Sequence, residues 1–363
     1  MPQPTSTVSS AEAIGKRALA RTLADEAGFE ALVATSPATV RWLLCGRGRP
    51  VSTSGPEADY AVVLTEGREL VVFPDIEASR VELEERFEEI GYEPVPFPWH
   101  EGRERTVAEA LDGARCLRGA DLETAVAPFR RQLGPNEVER YRSAAADVGT
   151  AMVETIRTLD SKSTELDVAG QLAAHARRRG FFPPVVLVAG EDRQPLHRHP
   201  LPTAARLGRH ALLAVTAERE GLHVSMTRLV SFGPPPRELA DLVRKAATVD
   251  AAVLEASRPG RTMGDVFARI EDAYSTQGLP DEWRRHHQGG LTGYLGREVF
   301  ATPGDPTPIP DSAAVAWNPS ITGGAKSEDT ALVSHQGVEV ITRTPELPEL
   351  EFGLIARPAI VEL

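Results

Sequence analysis

Two histidine-containing segments hold the residue types best suited to chemistry. The segment RRHHQGGLTGYLGRE, residues 284–298, places His286 and His287 before spaced glycines and a Gly-Arg-Glu end. The segment LHRHPLPTAARLG carries His197 and His199 on either side of an arginine. An imidazole with its ordinary pKa of about 6.5 can take a proton from water and return it to a leaving amine. These segments are therefore the candidate walls of a catalytic site.

Local geometry suggests which of these histidines face a pocket. Adjacent side chains on an extended strand point to opposite faces, so only one of His286 and His287 is expected to enter the site. His199 is predicted to lie in a solvated polar loop between prolines. The glycines suit tight turns, and in a site wall they also expose backbone N–H groups to a substrate carboxylate, so both interpretations stay open.

Bulk composition excludes several classes of protein. The 363 residues include 40 Lys and Arg against 52 Asp and Glu, and the net charge of −12 disfavours nucleic acid and anionic membranes as partners. No window approaches the roughly 18 apolar residues of a membrane span, and the N-terminus lacks the apolar stretch of a signal peptide, so a cytoplasmic location is expected. The common nucleotide-binding, zincin and serine-hydrolase motifs are absent. No cofactor is predicted, and the site must be built from dispersed residues.

The order of elements predicts an α/β domain followed by an α+β domain. Between residues 30 and 121, β-branched runs alternate with helical ones, including two strands around a Glu-Gly turn and a charged helix in EASRVELEERFEEIGY. Further on, two helix pairs alternate with groups of strands, and Ser163 is placed as an N-cap. The predicted domains are residues 1–132 and 133–363.

Four sequence pieces carry a family resemblance. They are LHRHPLPTAARLG, EREGLHVSMTRLVSFG, HHQGGLTGYLGRE and GGAKSEDTALV. In their order and spacing they resemble the creatinase, aminopeptidase P and prolidase family over nearly the whole chain. The resemblance implies an α/β N-terminal domain, a pita-bread C-terminal domain, a homodimer, and a small-molecule or short-peptide substrate.

The resemblance also allows the family's metal site to be compared position by position. Family peptidases hold two divalent metals with two Asp, one His and two Glu. Those positions fall here on Ala214, Ser225, His287, Asn318 and Glu328. Two dications about 3.5–4 Å apart need bridging carboxylates to offset their repulsion, and only one carboxylate is left. The sequence therefore predicts no metal cofactor, and leaves open a single ion on His287 and Glu328.

The retained residues resemble those of creatinase, the metal-free member of the family. By this resemblance, His197 takes the acid/base role, while His287 and Glu328 position substrate and water. Tyr294 and Arg297 lie in a GYLGRE phrase similar to creatinase's Tyr-Gly-Arg-Glu segment. We expect both to bind substrate, with the Arg297 guanidinium suited to a bidentate clamp on a carboxylate.

Three further positions are assigned to substrate binding. Asn318 and Ser225, in former ligand positions, are predicted to hydrogen-bond substrate or water. Thr227 stands where creatinase has a glutamate that helps hold the substrate cation, which argues against creatine itself as the substrate. Trp317, directly before Asn318, is predicted to be a core residue whose indole N–H is tied to a neighbour.

Three functions remain open at the level of sequence. The first is a creatinase-like, metal-independent hydrolase of a C–N bond, amide or amidine, in a small amino-acid-like substrate. The second is a metal-dependent Xaa-Pro aminopeptidase or prolidase-type peptidase. The third is a non-catalytic protein that binds a ligand or a partner through the old cleft.

Overall fold

The computed structural model describes residues 10–52 and 55–363. In this part of the chain the helices are α1 Ser10–Glu26, α2 Pro37–Leu43, α3 Ala78–Arg80, α4 Glu104–Leu111, α5 Gly119–Arg130, α6 Pro135–Arg157, α7 Glu165–Arg178, α8 Arg237–Ala256 and α9 Met263–Thr276. The strands are β1 Ala31–Ala34, β2 Ala61–Thr65, β3 Arg68–Pro74, β4 Glu93–Phe97, β5 Cys116–Arg118, β6 Phe182–Gly190, β7 His210–Arg219, β8 Leu222–Ser231, β9 Gly289–Thr292, β10 Val299–Phe300, β11 Ser312–Trp317, β12 Ser320–Ile321, β13 Ala325–Lys326, β14 Asp329–Ser334, β15 Gly337–Val340, β16 Glu349–Phe352, β17 Ile355–Pro358 and β18 Val361–Glu362.

The chain divides into two units near the predicted domain boundary. One unit runs to Arg130 and also includes Gly134–Arg140, so it takes in the start of α6. The other unit consists of Arg131–Leu133 and Tyr141–Leu363. Because the chain alternates between the units over these ten residues, the boundary between residues 132 and 133 stays a prediction.

The first unit is built on a mixed five-stranded sheet. The strand order is β4-β3-β2-β1-β5, in which β1 is antiparallel to β2 and parallel to β5. Consecutive residues of the central strands, such as Val62 with Val63 and Val71 with Val72, are fully buried. Burial of successive side chains is expected for a sheet that is covered on both faces. This is the α/β domain that the alternating pattern predicts.

The charged segment EASRVELEERFEEIGY does not form the single helix that was predicted. It is divided among α3, a π-helical turn at Val81–Glu85 and a 3-10 turn at Phe87–Ile90, with Arg86 in the left-handed conformation at φ 47°. Glu85 is buried, and its carboxylate accepts a hydrogen bond of 2.6 Å from the Gly48 N–H. This contact with a distant loop outweighs the helical propensity of the segment.

The second unit contains two larger sheets, ordered β18-β8-β7-β6 and β10-β9-β11-β14-β15. Its core includes side chains from α8, α9 and both sheets, among them Val253, Ile270 and Val333. Trp317 is fully buried there, and its indole N–H donates to Ser257 Oγ at 2.9 Å. The predicted core role of Trp317 is confirmed. The arrangement agrees with the predicted α+β, pita-bread class.

The ends of the helices show how local sequence sets their limits. Helix α7 begins after Thr164 rather than after the predicted cap Ser163, because Thr164 and Asp167 hydrogen-bond each other's backbone in a capping box. Helix α9 begins with the same device, formed by Thr262 and Asp265. Within residues 10–52 and 55–363, no helix has the length and apolar character needed to cross a membrane.

Candidate functional site

Strand β8 and the segment just before β14 bring three of the predicted site residues together, namely Ser225, Thr227 and Glu328. Ala214 lies opposite Thr227 in the β7–β8 pair, and Thr216 lies opposite Ser225. Opposed residues, and residues two apart, share one face of a sheet, so these four side chains project to the same side. The backbone N–H of Thr227 donates to the carbonyl of Glu328 at 3.0 Å, which places the end of the Ser-Glu-Asp segment beside β8.

Glu328 lies at the centre of this group and is paired with two cations. Its Oε1 accepts a hydrogen bond from Arg297 at 3.1 Å, and its Oε2 accepts one from the Thr227 hydroxyl at 2.6 Å. The ammonium of Lys326 lies 3.2 Å from Oε2. Burial alone would raise the pKa of Glu328, but Lys326, Arg297 and the hydrogen bond from Thr227 lower it to about 2. The carboxylate is therefore ionised near neutral pH, and both of its oxygens have partners.

The structure places Arg297 against Glu328, where its guanidinium is already in use. Nη1 donates to the Gly296 carbonyl at 2.6 Å and to Ser225 Oγ at 3.3 Å, while Nη2 faces Glu328. Nε is buried and makes no hydrogen bond to the residues that the structure describes. Arg297 thus neutralises Glu328 as it stands, and its buried Nε–H is without a partner among the described residues.

Asn318 directly follows β11 and lies next to the segment that carries Glu328. Trp317 pairs with Asp329, so the next step of the antiparallel register sets Asn318 beside Glu328. Asn318 is 2% exposed, and its Oδ1 has no hydrogen-bond partner in the described part of the chain. Such a buried acceptor costs about 1–3 kcal/mol, a cost that an N–H donor on a ligand would remove. Tyr294 is also buried, in the turn that follows β9.

Three imidazoles form a second cluster. His286 Nε2 lies 3.0 Å from His199 Nε2, and the ring of His287 stacks on that of His286 with centroids 4.4 Å apart. The two rings lie side by side rather than on opposite faces, although the backbone of His286 is extended. Which of the two enters a site stays a prediction. The loop position predicted for His199 holds, but its ring contacts this cluster.

The surroundings of the three imidazoles favour their neutral form. Partial burial, followed by the charges of Arg297 and Lys326 and by neighbouring rings, lowers the pKa of His287 to about 4. Burial and Lys326 lower the pKa of His286 to about 2 and also lower that of His199. Glu328 acts in the opposite direction on all three. Neutral imidazoles have a free ring nitrogen that can accept a hydrogen bond from water, while the lowered pKa makes each of them a weaker base.

His197, the predicted acid/base, lies elsewhere. Its side chain is exposed and lines a separate cavity of about 210 Å³ together with Leu212, Arg285 and Lys326. The histidine two positions on, His199, contacts His286 and His287 instead. The acid/base role expected of His197 therefore stays a prediction, and the structure places its side chain outside the cluster that contains His287.

Comparison with known proteins identifies the family. The model for metallopeptidase family M24 matches residues 139–335. The chain belongs to this family. An uncharacterized peptidase of Staphylococcus aureus is 21% identical over 334 residues, which cover 85% of this chain and 93% of the relative. The family inferred from the four sequence pieces is confirmed, and membership of a peptidase family supports a hydrolase.

Solved structures share the fold of this chain over nearly its whole length. Dipeptidase PepE from Mycobacterium ulcerans has a TM-score of 0.73 at 19% identity and covers 97% of this chain and 98% of its own. The prolidase from Pyrococcus horikoshii has a TM-score of 0.75 at 16% identity, with 94% and 100% coverage. The N-terminal domain of FACT complex subunit SPT16 from chickpea has a TM-score of 0.67 at 12% identity, with 93% and 97% coverage. Identities this low speak for the fold alone, and they confirm the predicted fold class.

The residues present do not fit the pair of metal ions that the family name implies. Ala214 offers no ligand atom, and Glu328 is already bound by Arg297, Lys326 and Thr227. Among the described residues, the ring nitrogens of His199, His286 and His287 lie within 4.8 Å of one another. Three imidazoles suit one borderline ion such as Zn²⁺ rather than two hard ions held by oxygen.

Sequence reasoning missed Lys326. A signal was available, because Lys326 lies two residues before Glu328 and such residues share a side of an extended chain. Lys326 is 5% exposed, and lysine is seldom buried this far without a partner. No comparable local signal joins His199 to His286, because 87 residues separate them in the chain.

Proposed function

We propose that this M24 family member is a metal-independent hydrolase of a C–N bond, amide or amidine, in a small amino-acid-like substrate. The observation that carries the proposal is the pairing of Arg297 and Lys326 with Glu328, the one carboxylate left at the family's ligand positions. In this chain two side-chain cations balance the negative charge of Glu328, which metal ions would otherwise balance.

Electrostatics supports this choice over a dinuclear site. Arg297 and Lys326 against Glu328 leave a net charge of +1, since two cations face one anion. A dication entering the group would have to displace one of these cations or lie beside both. Each like-charge contact at about 4 Å costs several kcal/mol at an effective dielectric constant of about 20. Neutral Asn318 and Ser225 oxygens cannot offset that cost.

The same residues can support hydrolysis without metal. A neutral imidazole, His199 or His287, accepts a proton from water, and the water oxygen forms a bond to the substrate's acyl or amidine carbon. The cations Arg297 and Lys326 stabilise the negative charge that develops on an acyl oxygen. The imidazolium then returns the proton to nitrogen as the C–N bond breaks. Asn318 Oδ1 is available to accept a hydrogen bond from a substrate N–H.

The acid/base role is assigned to His199 in preference to His197. His199 contacts both His286 and His287, whose pKa values respond to Arg297, Lys326 or Glu328. The effects of these charges on the neighbouring rings support a position of His199 close to Arg297, Lys326 and Glu328. His197 lies on the wall of the neighbouring cavity and is better placed to contact the far end of a substrate.

The proposal is tested by metal analysis together with a substrate panel. Protein purified without chelators is analysed for metals, then assayed on N-acyl amino acids, small amidines and Xaa-Pro dipeptides, with EDTA and with added Mn²⁺. We expect far fewer than two metals per chain and a hydrolysis that EDTA does not abolish. Two metals per chain with Mn²⁺-dependent cleavage of Xaa-Pro dipeptides would establish the family's peptidase reaction instead.

A second candidate function is ligand or partner binding without turnover. It is favoured by one observation, the likeness of fold to the N-terminal domain of FACT complex subunit SPT16. The same panel separates the two candidates. Saturable binding of a small amide with no product formed, at any metal concentration, would support a non-catalytic role for the cleft.

A further inference from the structure

A buried carboxylate at the start of α7 contacts the loop that carries His197 and His199. This loop, residues 191–209, joins β6 to β7. The carboxylate belongs to Glu165, the first residue of α7, and is fully buried. A charged group buried this far is costly unless it is hydrogen-bonded, so its partners show what it serves to hold.

The carboxylate of Glu165 binds both ends of the segment that carries the two histidines. Its Oε1 accepts a hydrogen bond of 3.0 Å from the backbone N–H of Gly190, the last residue of β6. Its Oε2 accepts bonds from the backbone N–H of Thr203 at 2.9 Å and from the Thr203 hydroxyl at 2.7 Å. Because His197 and His199 lie between Gly190 and Thr203, one side chain joins the two ends of their segment.

Arg193 extends this connection across the loop. Its Nη1 donates to Glu165 Oε2 and, at 3.1 Å, to the carbonyl of Leu201. Its own carbonyl accepts the backbone N–H of His197 at 3.3 Å. Arg193 therefore contacts the chain two residues before His199 and two residues after it.

Backbone contacts close the base of the loop. The first N–H groups of a helix have no acceptor within the helix. Here the N–H of Glu165 donates to the carbonyl of Ala205 at 2.9 Å. A Cβ placed on Gly190 would lie 2.4 Å from the carbonyl oxygen of Arg206, which shows how closely the two ends of the loop approach each other.

Prolines limit the freedom of the loop between these attachments. The segment contains Pro195, Pro200 and Pro202, and each proline ring fixes its own φ near −65°. His199 directly precedes Pro200, which also restricts the backbone of His199. A change at the base of the loop should therefore move the imidazole of His199, whose Nε2 lies 3.0 Å from His286 Nε2.

We propose that Glu165 is a positioning residue for the acid/base step and that, together with Arg193, it sets the place of the His199 imidazole in the histidine cluster. The inference rests on the proposed function, which assigns the acid/base role to His199. Glu165 itself does not touch the substrate. It matters because a base must lie within hydrogen-bond distance of the water it deprotonates, and a displacement of about 1 Å can cost about 10²-fold in rate.

NMR of the histidine rings tests this placement without requiring turnover. The protein is labelled with ¹⁵N in histidine, and the ring signals of His199 and His286 are assigned with the variants His199→Ala and His286→Ala. We expect Glu165→Ala to shift both signals and to leave that of exposed His335 unchanged. Unshifted signals of His199 and His286 in a folded Glu165→Ala protein would refute the proposal.

Asp167→Ala is the matched control for a local effect on α7. Asp167 lies in the same first turn, and its carboxylate accepts hydrogen bonds from the cap residue Thr164. Its loss should weaken the helix start but leave the histidine signals in place. Shifts as large as those of Glu165→Ala would show that the signals report only on the stability of the helix, and would overturn the assignment.

Two milder variants carry the same test if Glu165→Ala does not fold. Glu165→Gln removes the charge that faces Arg193, and Thr203→Val removes only the hydroxyl bond. Each should shift the ring signals of His199 and His286 in the same direction, by a smaller amount. Absence of any shift in both variants would contradict the proposal.

A kinetic cycle shows through which residue Glu165 acts. Glu165→Ala should lower kcat about tenfold to 10²-fold in the wild type. It should lower kcat less than about twofold in a His199→Ala background, because residues that act as one unit are not additive. Equal falls in both backgrounds would refute the positioning role. Ring signals that shift as expected, in a protein that hydrolyses no substrate of the panel, would reject the proposed function but keep the placement of His199 by Glu165.

Discussion

A carboxylate clamped between arginine and lysine differs chemically from one that binds metal. Glu328 has the residue type that the family uses as a ligand, yet its oxygens contact Arg297, Lys326 and Thr227. In the structure it pairs with two buried cations. The positive charge of those cations, and the neutral imidazoles that they help to maintain, are what the site has to offer a substrate.

At the residue scale, the two loop histidines should separate in a kinetic assay. His199→Ala should lower kcat for a substrate from the panel by about 10²–10⁴, the usual contribution of a general acid/base. His197→Ala should leave kcat within about twofold and act mainly on KM, because this residue lines the cavity. Steady-state kinetics of both variants, with exposed His335→Ala as control, decides between them. The opposite pattern would restore His197 as the acid/base.

At the scale of elements, buried ion pairs join strands to helices behind the site. Arg357 of β17 donates to Asp250 of α8 and to Asp329 of β14, each at 2.8 Å. Asp329 also accepts a bond of 3.0 Å from Arg228 of β8. This network fixes β14, and with it the neighbouring Glu328, against β8. Burial raises the pKa of Asp250 to about 6, although Arg357 and Ser327 act to lower it.

Removal of Arg357 should therefore be severely destabilising. Arg357→Met leaves Asp250 and Asp329 with less compensation for their buried charge, and we expect a loss of about 3–5 kcal/mol in the free energy of unfolding. Urea denaturation measures it. Arg343→Met is the control, because the pair of Arg343 with Glu349 is half-exposed and should contribute at most about 1 kcal/mol. Equal losses in the two variants would contradict a structural role for the network. Adding Asp250→Asn to Arg357→Met should recover part of the loss.

In the first unit, helix α1 is held by a charge group whose contribution depends on pH. Glu12 accepts hydrogen bonds from Lys16 at 2.8 Å and from Arg140 at 2.8 and 3.0 Å. Burial would raise the pKa of Glu12, but Arg140 and Lys16 lower it from 4.5 to about 2. A lowered pKa means that ionised Glu12 stabilises the fold above pH 4.5, and that this contribution is lost as pH falls towards 2.

Glu12→Gln should accordingly be less sensitive to acid than the wild type. Urea midpoints measured between pH 6 and pH 2.5 should fall more steeply for the wild type below pH 4.5, since only the wild type must protonate this carboxylate. Glu109→Gln, an exposed change on α4, serves as the control and should follow the wild-type curve. Parallel curves for the wild type and Glu12→Gln would show that this ion group does not contribute.

At the scale of the whole molecule, the family resemblance predicts a homodimer. Light scattering coupled to size exclusion should give twice the mass of one chain over a range of dilutions. A mass equal to one chain at micromolar concentration would contradict the prediction. The measurement also bears on the function, because kinetic parameters have to be assigned to the correct active species.

The sequence by itself determined the family and the fold class. The β7–β8 hairpin, the glycine-rich segment and the Ser-Glu-Asp segment follow one another in the family's order and spacing. Backbone topology follows from such patterns of turns and apolar residues. It also predicts that one of the family's four ligand carboxylates is kept, a prediction that rests on residue identity at Ala214, Ser225, Asn318 and Glu328.

Only the tertiary structure decided which side chains act together. It brought His199 together with His286 and His287, and placed Lys326 beside Glu328. These groupings join loops that lie far apart in the chain, and a shift of two residues along an irregular loop changes which side chain faces the site. The secondary-structure propensities of local segments do not predict such contacts, because the contacts depend on how whole strands and hairpins pack together.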